Sequence, residues 1–129
     1  MMLSRFQKRA LSSVIVLSLV GAASAGEDSQ SATAIMRGCR TNPRETSNVT
    51  LLEAWERGHC VGIIKGLDAD ARYSESILKH ALFCPPEQVT YEQELRVVVA
   101  YIDKHPERMH ERFTLLAMTA LAVAWPCKD

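Results

Sequence analysis

A chain of 129 residues and 14.4 kDa has the length of one domain, and 47% apolar residues are enough to bury a core. Fifteen basic side chains against fifteen acidic ones, within a charged fraction of 23%, exclude a strongly basic nucleic-acid binder and a disordered acidic tail.

The first 25 residues read as a secretory signal peptide. Arg5, Lys8 and Arg9 form a basic start, residues 10–22 form an apolar run, and Ala23, Ser24 and Ala25 make a small-residue cleavage site before Gly26. The run is too short for a stable membrane anchor. Cleavage after Ala25 removes three bases and no acids, leaving 104 residues (26–129) with 12 Lys and Arg against 15 Asp and Glu. The mature domain is therefore mildly acidic.

All four cysteines, Cys39, Cys60, Cys84 and Cys127, fall in that mature domain. An even number of cysteines in a small exported chain predicts two disulfides. No Cys-x-x-Cys pair is present for zinc and no Cys-x-x-Cys-His for haem, so neither a metal nor another cofactor is expected.

In chain order, a small polar leader is followed by a short helix over residues 32–39, with Ile35 and Met36 as its apolar contacts. Residues 40–48, with Asn42, Pro43, Ser47 and Asn48, have the composition of a loop. Thr50 and Glu53 form a capping box that opens a long helix reaching Tyr73. Leu52, Trp55, His59, Ile63 and Leu67 form its expected apolar stripe. Gly58, Gly62 and Gly66 recur every four residues beside that stripe. Their cost in a helix, roughly 0.5 to 1 kcal/mol each relative to alanine, predicts a compensating close approach of another backbone. A membrane-spanning reading fails because Glu56, Arg57, Lys65 and Asp68 are interleaved with them.

Periodicity breaks over residues 74–88, which end in Cys84, Pro85 and Pro86. Thr90 and Gln93 form a second capping box, and Leu95, Val98, Val99 and Ile102 follow at helical spacing to about residue 104. Pro106 is expected to begin a last helix over 107–124, whose apolar face includes Met109, Phe113, Leu116, Ala120 and Leu121. No segment reads as a strand. The expected fold is all-α, a disulfide-stapled bundle of about four helices. A short connection makes the last two helices antiparallel, at roughly 22 and 27 Å long, so Cys127 returns to Cys84 and Cys39 pairs with Cys60.

The segment Gly58-His59-Cys60-Val61-Gly62-Ile63-Ile64-Lys65-Gly66, then Cys84-Pro85, Val89-Thr90, Val97-Val98-Val99, His105-Pro106 and Trp125-Pro126-Cys127, resembles the Rap/Tai family of immunity proteins. The likeness spans residues 35–127, with an aliphatic at Ile63 where the family usually has an aromatic. It implies a periplasmic, all-helical, disulfide-bonded protein, often a homodimer. Such a protein protects a bacterium by occupying the active-site groove of a type VI secretion effector, the best-known effectors being peptidoglycan amidases. Helix count and composition alone fit a small periplasmic chaperone or structural protein equally well.

The candidate catalytic groups argue against an enzyme. Asp68, Asp70 and Glu75 read as a solvated helix end, His59 as a core or interface residue, and His105 and His110 as part of a helix connection. Paired cysteines leave no nucleophilic thiol. Residues 70–83 instead read as a projecting contact loop, carrying Arg72, Tyr73, Glu75, Lys79 and His80 and anchored at Cys84. The competing surface is the 40–48 loop.

Overall fold

The computed structural model describes residues 28–40 and 48–128. The expected signal peptide and residues 41–47 of the 40–48 loop lie outside them. Four α-helices make up the bundle: α1 (Ala32–Arg40), α2 (Leu51–Tyr73), α3 (Tyr91–Asp103) and α4 (Phe113–Ala124). Among the described residues there is no strand, and no helix is long and apolar enough to cross a membrane.

Both capping boxes form. Thr50 donates its backbone N–H to Glu53 at 2.8 Å and accepts the Glu53 N–H at 3.2 Å. Thr90 and Gln93 repeat the exchange at 2.8 and 3.4 Å. The hydrogen bonds from Thr50 hold the Glu53 carboxyl below its usual range.

Helix α1 sits against all three other helices, and Ile35 and Met36 are buried as expected. The Cys39–Cys60 disulfide fastens it to α2, and Cys84–Cys127 ties the chain ahead of α3 to the end of α4. Both pairings match the hairpin argument. With loops of 21 and 43 residues, each bridge contributes about 3 to 4 kcal/mol on a chain-entropy basis.

Three expectations are corrected. First, α2 buries Glu56, Cys60, Ile64 and Ala71, a face rotated from the expected stripe. Ile63 and Leu67 lie at its margin, while Leu52 and Trp55 are exposed. The disulfide explains the rotation: Cys60 must face α1, and Cys60, Ile64 and Ala71 follow at spacings that share its side. The carboxylate of Glu56, buried by the same rotation, is met by Arg37 of α1 at 2.5 Å.

Second, the glycine stripe is no packing groove. A Cβ at Gly58, Gly62 or Gly66 would meet nothing within 4 Å. The close backbone approach occurs at Gly38 of α1 instead, where a Cβ would lie 2.1 Å from the Glu56 carbonyl oxygen.

Third, the last helix starts at Phe113 and not at 107. Pro106–Arg108 make a single 3-10 turn, and the chain then runs alongside residues 30–33. Ala32 donates to the Glu111 carbonyl at 2.8 Å, Thr33 to that of Met109 at 3.0 Å, and Phe113 to that of Gln30 at 2.9 Å. These long-range bonds occupy backbone groups that a longer helix would have used itself. Arg108 secures the segment, donating to both carboxylate oxygens of Glu111 at 2.7 and 2.8 Å and to the Tyr101 hydroxyl at 2.9 Å.

Candidate partner-binding surface

Helicity runs further into the expected contact loop than periodicity indicates. Residues 70–73 belong to α2, and a widened π-helical turn, Ser74–Leu78, continues it. Lys79 stops the helix in the left-handed region, with φ 53° and ψ 34°. A lysine there costs of order 1 kcal/mol that glycine would not. The Lys79 and His80 N–H groups both donate to the Ser74 carbonyl, closing the turn. True loop therefore begins at Lys79.

Beyond it, buried Phe83 plugs into the core and Cys84 is pinned twice, by its disulfide and by donating its N–H to the Trp125 carbonyl at 2.8 Å. The projecting turn thus has a rigid base on both sides. Around its tip Tyr73, Ile77, Leu78 and Leu82 are each at least 60% exposed. Lys79 and His80 stand exposed among them.

Arg72, Glu75 and Lys79 line one cleft of about 350 Å³, together with Phe83, Cys84 and Glu87. Tyr73 and His80 face solvent outside it. Arg72 is half-buried and committed to Asp68, at 2.8 and 3.0 Å from the two carboxylate oxygens. Behind this ion pair lies Glu94 of α3, fully buried, with no donor meeting either carboxylate oxygen and with Asp68 as the partner of its protonated form. Desolvation, reinforced by the Asp68 charge, pushes its carboxyl up to about 7, with Arg72 opposing the shift. Arg72 therefore neutralises an internal acidic pair as well as bordering the surface.

The other candidate groups are dispersed. The His59 ring lies against Trp55, with centroids 5.2 Å apart; His105 lies against Tyr101 at 4.6 Å and meets Glu107 at 3.3 Å. Asp70 and His110 are exposed at separate places.

Periodicity does not single out Ile77, Leu78 and Leu82; a second exposed apolar group at the start of α2 joins Leu51 to Leu52 and Trp55, the two residues expected in the buried stripe. For Ile77 the available signal was its position: continuing the Cys60, Ile64 and Ala71 face past Tyr73 leaves it off that face, whereas Leu78 would return to it in a regular α-helix and is turned outward by the widened π-helical turn.

A small helical scaffold, stapled twice, that presents a braced apolar turn has the form of a protein that binds another protein. The profile of the Rap1a immunity proteins matches residues 28–127, nearly everything described here, and the chain belongs to that family. Its membership implies a cognate effector as partner. No curated protein and no solved structure matches the chain.

Proposed function

We propose that this is an exported, periplasmic immunity protein that neutralises a type VI secretion effector of the peptidoglycan-amidase class, by seating the turn around residues 73–82 in the enzyme's active-site groove. It is not itself an enzyme. The observation carrying this reading is the set of four exposed apolar side chains on a turn braced by Phe83 and Cys84. A segment already held in place loses less entropy on binding, and aromatic and basic residues on it supply contact energy. Tyr73, Lys79 and His80 belong to the contact, with Arg72 and Glu75 at its edge.

Replacing Leu78, Lys79 and His80 by alanine tests this reading without disturbing the Arg72 ion pair. The triple variant is expected to fold with both disulfides closed and to bind its cognate effector at least about tenfold more weakly, since central contacts are each worth more than about 1 kcal/mol. Unchanged affinity and full protection of cells would overturn the assignment. Equal binding to many unrelated unfolded clients would instead support a chaperone.

We also propose that the chain self-associates through the outer face of α2. Leu51, Trp55, Gly58, Gly62, Gly66, Ala69 and Tyr73 share one exposed stripe. An antiparallel copy centred on Gly62 brings Gly58 opposite Gly66 and Trp55 opposite Ala69, and the seam ends short of Tyr73, which stays with the contact turn. Such self-complementarity is what a two-fold interface requires. Light scattering is expected to give twice the chain mass for the wild type and the single mass for Gly62→Leu. Gly62→Ala, which meets nothing within the chain, is expected to raise the urea midpoint of the isolated chain through about 0.5 to 1 kcal/mol of helix propensity. A wild-type monomer at high concentration would refute the association.

A further inference from the structure

The two disulfides differ in how a reagent can reach them. Cys39 and Cys60 are 6% and 0% exposed, between α1 and α2. Cys84 and Cys127 are half-buried, and Cys84 lines the cleft beside the projecting turn. At that cleft Glu75, itself exposed, holds Oε2 3.5 Å from the Cys84 sulfur, and both sulfurs lie within 4.8 Å of a Glu75 oxygen. Sulfurs bonded to each other offer no thiolate to a cation, so this trio is not a metal site while the bridge is closed.

We propose that Cys84–Cys127 is a thiol-exchange site that a dithiol reductant opens from the cleft while Cys39–Cys60 stays closed, with the Glu75 carboxylate slowing the attack. One thiolate of the reductant attacks Cys84 Sγ, the side facing the cleft. The Cys84–Cys127 bond breaks, its electron pair leaves on Cys127 Sγ, and that thiolate takes a proton from water. The reductant's second thiol loses its proton and attacks its own sulfur in the mixed disulfide. Cys84 leaves as a thiolate and is protonated in turn. The reductant ends two electrons oxidised, as its internal disulfide, and the chain two electrons reduced, as two thiols. Exchange of this kind depends on access and on the charge beside the attacked sulfur. A carboxylate at this distance repels an incoming thiolate before any bond forms.

Opening the bridge leaves residues 79–89 without their covalent tie to α4. On the effector-binding reading proposed above, the contact turn then loses its rigid base and binds less tightly. The exchange itself needs no effector.

The test uses the full chain in graded dithiothreitol at neutral pH, with rapid alkylation and peptide mass mapping of each cysteine. Cys84 and Cys127 are expected to be labelled while Cys39 and Cys60 remain linked and the helical circular dichroism signal persists. Glu75→Gln is expected to speed labelling of Cys84 and Cys127 about fivefold, the effect of removing one unit of charge roughly 4 Å away in water. Opening of Cys39–Cys60 first or together with the other bond overturns the proposal, as does an unchanged rate in Glu75→Gln. Binding of the singly reduced chain to the cognate effector is measured separately. A failed labelling map counts against the exchange site alone, whereas a map as expected with undiminished affinity counts against the contact turn.

Discussion

Gly38→Ala is expected to lower stability by about 3 kcal/mol, the upper end for overpacking a rigid site. A methyl group there would lie 2.1 Å from the carbonyl oxygen and 2.3 Å from the carbonyl carbon of Glu56, and 2.9 Å from the Arg57 nitrogen. All three atoms are backbone of α2, so no side chain can turn aside. The two helices must separate, against the Cys39–Cys60 bridge one residue away and the Arg37 to Glu56 ion pair. Urea denaturation of Gly38→Ala beside Gly62→Ala checks the contrast. The first midpoint should fall steeply and the second rise slightly. Equal midpoints would mean that α1 and α2 do not meet as described.

The second large effect is a dependence on pH centred on Glu94. Its carboxyl is raised from the ordinary 4.5 to about 7 in the folded chain, so between those values the folded state holds a proton that the unfolded state has released. Stability should therefore decline as pH rises from about 4.5 through 7 and flatten above, the whole change amounting to at most about 3 kcal/mol. Groups with lowered values, Glu53, Glu92, Glu107 and Glu111, act in the opposite sense, losing their contribution as pH falls through the acid range. Glu92 and Glu107 are exposed and Glu53 and Glu111 lie near the surface, so they contribute little individually. Glu94→Gln keeps the shape and removes the charge, so it should be more stable than the wild type at pH 8 and lack the decline. A wild-type stability that is flat from pH 5 to 8 would sink this account.

These two sites also mark where sequence reading reached its limit. Capping boxes are local, three residues from donor to acceptor, so Thr50 and Thr90 announced their helices directly. The disulfide pairing followed from the short connection that turns the last two helices antiparallel and returns Cys127 to Cys84, which leaves Cys39 for Cys60. Which face α2 buries depended on something no window along α2 contains: Cys60 must reach α1, and that rotation left Leu52 and Trp55 outside while drawing Glu56 in. The glycines misled for a related reason. An unfavourable residue along a helix does not say where a backbone comes close, and the glycine that a close approach requires is the isolated Gly38. Residues 109–112 carry helix-compatible residues, yet pairing with residues 30–33 overrides that preference. At the candidate surface, Tyr73, Lys79 and His80 were recognisable because they break periodicity. Ile77, Leu78 and Leu82 were hidden because apolar residues read as core until the fold leaves them no neighbour.

The strap between residues 30–33 and 109–113 has a consequence for how the chain comes into being. Thr33 finds its acceptor 76 positions later, at Met109, through both its side chain and its backbone. A chain emerging from its N-terminus cannot complete the setting of α1 until most of its length has followed. Partners so distant in sequence make closure of the bundle a late and comparatively slow event. On the proposed export route, that delay keeps the polypeptide threadable until it has crossed the membrane, and leaves folding and oxidation of the two cysteine pairs to the far side.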